Sequence, residues 1–231
     1  MRGGIIAAGS GSRLQQQGIS QPKPLIKIGD KTLLGWTVSH FIKAGIQDLV
    51  IIFNESIAKP CISHLKEYYP DIKFEFIIKT TRSSFESFYE VSSRLKNDPF
   101  VISTVDTIFH PQSFKNFIDF FKTLPNPSVV LGTTSFIDDE KPLYVSMDLN
   151  NKIHAIDIAK SSVITCGIYG FYPKSIAYAQ NQSFTALRKF LKFVVTTPIP
   201  VFGHMIDKSI DVDRPADIIE AEKLIARWKN I

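Results

Sequence analysis

The sequence predicts an α/β protein of three layers, a mostly parallel but mixed sheet covered by helices on both faces in the Rossmann-like manner. Three observations predict it. Runs such as DLVIIF (48–53) and FVIST (100–104) are continuously apolar, as strands buried on both faces must be. They alternate with stretches whose apolar residues recur at helical spacing. After Pro125 the segments turn extended and are punctuated by turn residues, which predicts antiparallel strands that continue the sheet or form a small lobe over one end.

The elements follow in order. Residues 4–8 read as a buried strand. In 32–44 the positions Leu33, Leu34, Trp36, Val38, Phe41 and Ile42 predict a helix that Gly45 stops. A strand at 48–53 is followed by a helix through 65–69, closed by Pro70. Strands at 73–78 and 100–104 alternate with helices at 84–96 and 112–124. Residues 128–136, 143–148, 152–157 and 163–172 look extended, and Asn150-Asn151 supplies a tight hairpin turn. A helix at 215–228 closes the chain, with Ile218, Ala221, Leu224 and Ile225 on one face. No linker divides the chain, so residues 1–231 are expected to form one domain.

Composition narrows the function classes. Of 231 residues 44% are hydrophobic and 21% charged, ordinary values for a globular protein with a sizeable core. The net charge of +5 comes from scattered lysines without a dense basic block, which argues against nucleic acid and suits a small polyanion. No apolar run approaches the length needed to cross a bilayer, and the polar stretch 9–18 does not fit a signal peptide, so a cytoplasmic protein is expected. Cys61 and Cys166 read as small buried hydrophobes, and the five histidines are spread singly without zinc spacing.

The segment GGIIAAGSGSRL (3–14) carries the first chemistry. Ala7 and Ala8 end a strand, and Gly9, Ser10, Gly11 and Ser12 follow at the sheet edge where open α/β sheets bind ligands. Glycines let backbone N–H groups approach an anion, and Arg13 adds a charge-assisted donor. A plain flexible turn explains the same residues equally well. The G-x-x-x-x-G-K-[ST] phosphate loop is absent. The dinucleotide fingerprint fails too, since Leu14 stands where a small residue is needed and no helix is expected to start in the loop. In QPKPLIKIG (21–29), Pro22 and Pro24 bracket Lys23 and predict extended backbone on either side. Lys23 then reaches back over the glycine loop to neutralise a phosphoryl group, or is an exposed lysine in a proline turn.

AAGSGSRL followed by PKPL resembles the signature of sugar-phosphate-type nucleotidyltransferases, shared with molybdopterin nucleotidyltransferases and small-molecule cytidylyltransferases. The resemblance implies a GT-A-like nucleotidyltransferase fold with a nucleotide-binding part at about 1–125 and an acceptor-binding part at about 126–231. It implies transfer of an NMP group from an NTP to a phosphorylated small molecule, a sugar 1-phosphate first and phosphocholine or another phosphorylated alcohol second. Ala7 to Arg13 would bind the nucleotide, with Lys23 and Arg13 as the catalytic cations. Asp106, in FVISTVDTIF (100–109), and Asp211, in SIDVDRPADIIEAEKL (209–224), would hold Mg²⁺, while Asp213 reads as the cap of the last helix. A helix-capping role is the alternative for Asp106, but its place at the end of a strand favours the metal role. Arg82, Ser83 and Ser84 fall in the region that contacts base and ribose, and Ser83 or Ser84 also suits a helix cap. Gly167 and Tyr169, in VITCGIYGFYP (163–173), match an acceptor-pocket segment. Asp157 and Lys160 stand where relatives carry an E-x-K-P stretch, but the proline is missing.

An acceptor phosphate is already ionised at neutral pH, so such a reaction needs positioning and charge neutralisation more than a strong base. That agrees with the lack of a Ser/His/Asp or Cys/His constellation. Two other classes are weighed against it. A glycosyltransferase with an Asp-x-Asp pair has only Asp211-Val-Asp213 to offer. A non-catalytic nucleotide-binding regulatory domain has no need of Lys23, Asp106 and Asp211 together. Base preference, oligomeric state and whether Asp211 or Asp213 is the second metal ligand stay open.

Overall fold

A computed structural model describes residues 1–138, 141–157, 161–179 and 183–228. From the N-terminus, β1 (Arg2–Ala7) leads through the glycine loop into the short helix α1 (Ser12–Gln16). The hairpin of β2 (Lys27–Ile28) and β3 (Lys31–Thr32) precedes α2 (Leu33–Lys43). β4 (Asp48–Phe53), α3 (Glu55–Tyr68), β5 (Lys73–Ile78), α4 (Ser84–Leu95) and β6 (Phe100–Thr104) continue the alternation. β7 (Thr107–Phe109) and α5 (Pro111–Thr123) lead to β8 (Val129–Thr134). β9 (Val145–Met147) and β10 (Ile153–Ile156) form a separate antiparallel hairpin. β11 (Ile164–Phe171), α6 (Pro173–Ile176), α7 (Leu187–Val195), β12 (Val201–Met205), β13 (Ser209–Asp211) and α8 (Pro215–Trp228) complete the chain.

Among the described residues the central sheet has seven strands in the order β12-β8-β11-β6-β1-β4-β5. β11 runs antiparallel to both its neighbours, and the other pairings are parallel. The second half of the chain therefore both extends the sheet and supplies the β9–β10 hairpin.

Strand alternation sorts the core into two faces. Leu49, Ile51 and Phe53 of β4 join Phe41, Cys61 and Phe117 beneath α2, α3 and α5. Val50 and Ile52 point the other way, to Phe88 and Val91 of α4 and Phe190 of α7. A Cβ on Gly4 would sit 2.5 Å from Val91 and 2.9 Å from Ile102, so glycine is what lets α4 lie directly on β1. A third cluster, with Leu14, Ile26, Trp36, Val212 and Leu224, ties α8 and the glycine loop to one end of the sheet.

Three details differ from the sequence expectations. A helix does start in the opening loop, because Gly11 takes a left-handed conformation (φ 63°) that turns the chain into α1. Pro22 is extended as expected, but Lys23–Leu25 close one 3₁₀ turn, with Ile26 N donating to the Lys23 carbonyl. The strands β2, β3, β7, β12 and β13 and the helices α6 and α7 are not predicted by the sequence pattern. α7 is amphipathic, with Leu187, Phe190, Leu191 and Val194 buried.

Candidate active site

The carboxyl ends of β1 and β6 open into a cavity of about 510 Å³. One wall is the glycine loop, where Ala8, Gly9, Ser10, Gly11, Ser12 and Arg13 all line the space. The opposite wall carries Arg82, Ser83 and Ser84 at the start of α4. Ser83 also caps that helix, its Oγ accepting from Glu86 N at 3.1 Å, so capping and lining coexist. Ala7 does not line the cavity. It alternates with Ala8 along the strand and is buried in the core under α2.

Lys23 enters between the walls. A Cβ on Gly11 would lie 3.0 Å from the Lys23 Cβ, and the positive φ disfavours a side chain there too, so Gly11 gives the lysine its path. The Lys23 side chain is only 9% exposed, and its Nζ lies 2.7 Å from Asp106 Oδ2 and 2.6 Å from Asp213 Oδ1. Burial works against its charge, but the two carboxylates outweigh burial and hold the ammonium above its usual range. Desolvation likewise opposes ionisation of Asp106, and Lys23 reverses that, keeping it below the ordinary carboxylate range. Arg13 Nη1 donates to Asp213 Oδ2 at 2.7 Å.

Asp213 thus differs from its expected role as helix cap. The start of α8 is held instead by Asp217, whose Oδ2 accepts from the backbone N–H of Asp213 at 2.9 Å and of Arg214 at 2.7 Å. A carboxylate at this third helical position reaches back to the terminus as in a capping box, which frees Asp213 to face the cations.

A second hollow of about 230 Å³ adjoins the first, and Ser84, Thr104 and Asp106 line both. Asp211, Gly167 and Tyr169 line this second space. β13 pairs with β7 so that Asp211 lies opposite Thr107, and the Thr107 hydroxyl donates to Asp211 Oδ1 at 2.6 Å. The Thr104 and Thr107 hydroxyls are 3.0 Å apart. The chain beyond β13 is tied in as well, Val212 N donating to the Asp106 carbonyl at 3.0 Å. At Gly167 a Cβ would land 2.5 Å from Thr104 Oγ1 and 2.7 Å from Thr107 Oγ1, and its φ is +73°. Glycine at this irregularity in β11 leaves room for the hydroxyl pair. Burial first, then the nearby Asp211, pushes the Tyr169 phenol well above its usual range, so it remains a neutral hydroxyl.

Asp157 is not brought to either hollow. Its carboxylate accepts from Lys192 Nζ at 2.7 Å on the exposed side of α7, and Asp157 itself takes a left-handed conformation (φ 66°) at the end of β10. Lys160 lies outside the described residues. The sequence reading also missed lining residues. Arg188, Leu187 and Leu191 belong to the unforeseen α7 and wall the second hollow. The periodicity of LRKFLKFVV was the signal that could have found them.

The donor set suits a hard divalent cation. Among the described residues no three His, Cys, Asp or Glu side chains gather into a complete metal cage. Asp106 and Asp211 share one hollow, with Asp106 held ionised, and Mg²⁺ is commonly bound by one or two carboxylates completed by substrate phosphates and water. The two residues therefore fit such an ion.

Known proteins are similar to this chain in sequence and in fold. A mannose-1-phosphate guanyltransferase of Saccharomyces cerevisiae is 26% identical over 138 residues, 58% of this chain and 38% of that protein. A choline-phosphate cytidylyltransferase of Streptococcus pneumoniae is 31% identical over 110 residues, 47% of this chain and 46% of that protein. The chain therefore spans less than half the length of these curated relatives. The structure of an inositol-1-phosphate CTP transferase from T. maritima superposes with a TM-score of 0.81 at 20% identity, covering 97% of this chain and 96% of that one, which shows the same fold. The profile of the MobA-like NTP transferase domain matches residues 3–162, well over half of the chain, and the protein belongs to that family.

Proposed function

We propose that the cleft moves a nucleoside monophosphate group from a nucleoside triphosphate to a phosphorylated small molecule, a sugar 1-phosphate in the first place, and releases pyrophosphate. One observation carries the reading: two hollows, one walled by a glycine loop and cations, meet at Asp106. A donor and an acceptor seated in them come together at that carboxylate.

An oxygen of the acceptor phosphate attacks the α-phosphorus, the α–β bridging bond breaks, and pyrophosphate leaves with that electron pair. The attacking oxygen is already an anion, so repulsion between two anions is the main barrier. The backbone of Gly9 to Ser12 cradles the triphosphate. Lys23 and Arg13 take up the charge that grows on the leaving pyrophosphate. Asp106 and Asp211 would hold Mg²⁺, which when bound neutralises and orients phosphoryl oxygens. Thr107 aims Asp211 through its short hydrogen bond.

The names of the yeast and pneumococcal relatives support the two acceptor classes, a sugar 1-phosphate and phosphocholine. Leu143, Leu187 and Leu191 on the acceptor side favour a second reading, a phosphorylated alcohol with fewer hydroxyls than a sugar. A screen of the four common NTPs against sugar 1-phosphates, phosphocholine and polyol phosphates, read as pyrophosphate release with Mg²⁺ present, tests both. Release that needs one NTP and one acceptor together supports transfer. Silence across the panel, or nucleoside diphosphate release from a nucleotide sugar, counts against it.

A further inference from the structure

Asp213 occupies the two cations that the proposed reaction assigns to phosphate. Its two carboxylate oxygens are divided between them, Oδ1 at 2.6 Å from Lys23 Nζ and Oδ2 at 2.7 Å from Arg13 Nη1. All three residues line the larger cavity. The residue is set there by its backbone. Its own N–H and that of Arg214 donate to Asp217, whose side chain is 5% exposed and also takes the Arg214 guanidinium at 2.8 Å. The first turn of α8 thereby fixes the peptide from which Asp213 reaches the cations, and Lys23 keeps a second carboxylate, Asp106, at 2.7 Å.

We propose that Asp213 is an internal stand-in for the substrate's phosphate. With no nucleotide bound it neutralises Lys23 and Arg13 and keeps both aimed into the cleft. When a triphosphate arrives, its oxygens take over these donors and Asp213 gives way. The ammonium has three donor hydrogens and the guanidinium five, so the cations exchange one anion for another without leaving the site. Asp106 holds Lys23 in place during the exchange. Asp213 is a positioning residue, and it exacts a penalty: an incoming phosphate must compete with a carboxylate already in place, which weakens its apparent affinity.

The inference rests on the phosphate-binding reading of the cleft, and the test separates the two. Inorganic pyrophosphate is titrated calorimetrically, with EDTA present, into the wild-type protein, Asp213→Asn, Asp213→Ala and Arg13→Met/Asp213→Asn. The stand-in predicts that both single variants bind pyrophosphate at least about tenfold tighter than wild type, and that Arg13→Met removes much of the gain. A merely structural role cannot produce a gain, because a disturbed cleft binds more weakly. Wild-type binding with equal or weaker affinity in both single variants overturns the stand-in and leaves the cleft reading in place. A carboxylate whose task is to hold the metal is told apart by repeating the titration with Mg²⁺ in place of EDTA, where its loss weakens pyrophosphate binding and the loss of a stand-in still tightens it. Binding in none of the four proteins overturns the stand-in, and binding in none of them with Mg²⁺ present overturns the cleft reading as well.

Discussion

At the residue scale the site is a balance of charges in a partly dry cleft. Lys23 is pinned between Asp106 and Asp213 and retains almost no exposure. Replacing it with alanine takes the cation away from Asp106, leaves Asp213 with Arg13 alone and removes the group that receives the leaving pyrophosphate. Lys23→Ala and Asp106→Ala are each expected to lower kcat by about 10²–10³, measured as pyrophosphate release with the substrate pair from the screen. Turnover near the wild-type level in either variant contradicts the role of the residue replaced. Gly167→Ala places a methyl group against two hydroxyls in a backbone conformation that side chains disfavour. It should lower Tm and slow turnover together, whereas a neutral effect on both would show that the hydroxyl pair is not needed. Lys23, Asp106 and Asp211 were legible in the sequence because each lies in or beside a recognisable short segment. Asp213 was not, since its partners Lys23 and Arg13 are 190 and 200 residues away in the chain and only the fold reveals the pairing.

At the element scale the legible parts were those with strong local pattern. The strands Asp48–Phe53, Lys73–Ile78 and Phe100–Thr104 have the bounds their apolar runs predict. β7 and β13 escaped notice because each is three residues long, too short for any periodicity, and they exist through pairing with each other. Yet that pairing is what places Asp211 beside Thr107. The start of α8 was misread for a related reason. An Asp two residues before Pro215 looks like a cap, but the buried Asp217 reaches back from inside the helix and accepts from the N–H groups of Asp213 and Arg214. Asp217→Ala leaves those N–H donors without their acceptor and takes one carboxylate partner from the Arg214 guanidinium, at a cost of about 1–3 kcal/mol. Urea denaturation should show that loss, and activity should fall further than stability alone explains because Asp211 and Asp213 sit on the loosened segment. An unchanged midpoint would mean that other groups cap this helix.

At the scale of the whole molecule, the sheet brings segments from both halves of the chain to one edge. Residues near positions 10, 23 and 106 line one hollow, and 106 and 211 the adjoining one, because β1 and β6 are neighbours and the β13–β7 pairing ties the late segment back to them. The layered fold was predictable from the alternation of runs, while the insertion of β11 between β6 and β8 was not, since strand order leaves no local trace. The core also carries a pH dependence. His40 is buried against Phe109, its Nε2 3.0 Å from the Phe109 carbonyl, so Nε2–H donates and Nδ1 finds no hydrogen-bond partner among the described residues. Burial lowers its pKa to about 3. The unfolded chain takes up this proton below about pH 6.5 and the folded one does not, so protons favour unfolding as pH falls from about 6.5 towards 3. Stability should decline by up to about 1.4 kcal/mol per pH unit below pH 6 from this one group. The decline should be shallower in His40→Asn, which keeps a donor for the carbonyl, and equal slopes in the two proteins would rule His40 out as the source.

The central claim concerns which phosphorus is attacked, and isotopic labelling reads that directly. With the acceptor found in the screen, NTP labelled with ³²P at the α or at the γ position is supplied in parallel and the products are separated. Attack at the α-phosphorus puts the α label in the acceptor-linked product and the γ label in pyrophosphate. A γ label on the acceptor, or an α label left in free nucleoside diphosphate, would contradict attack at that atom.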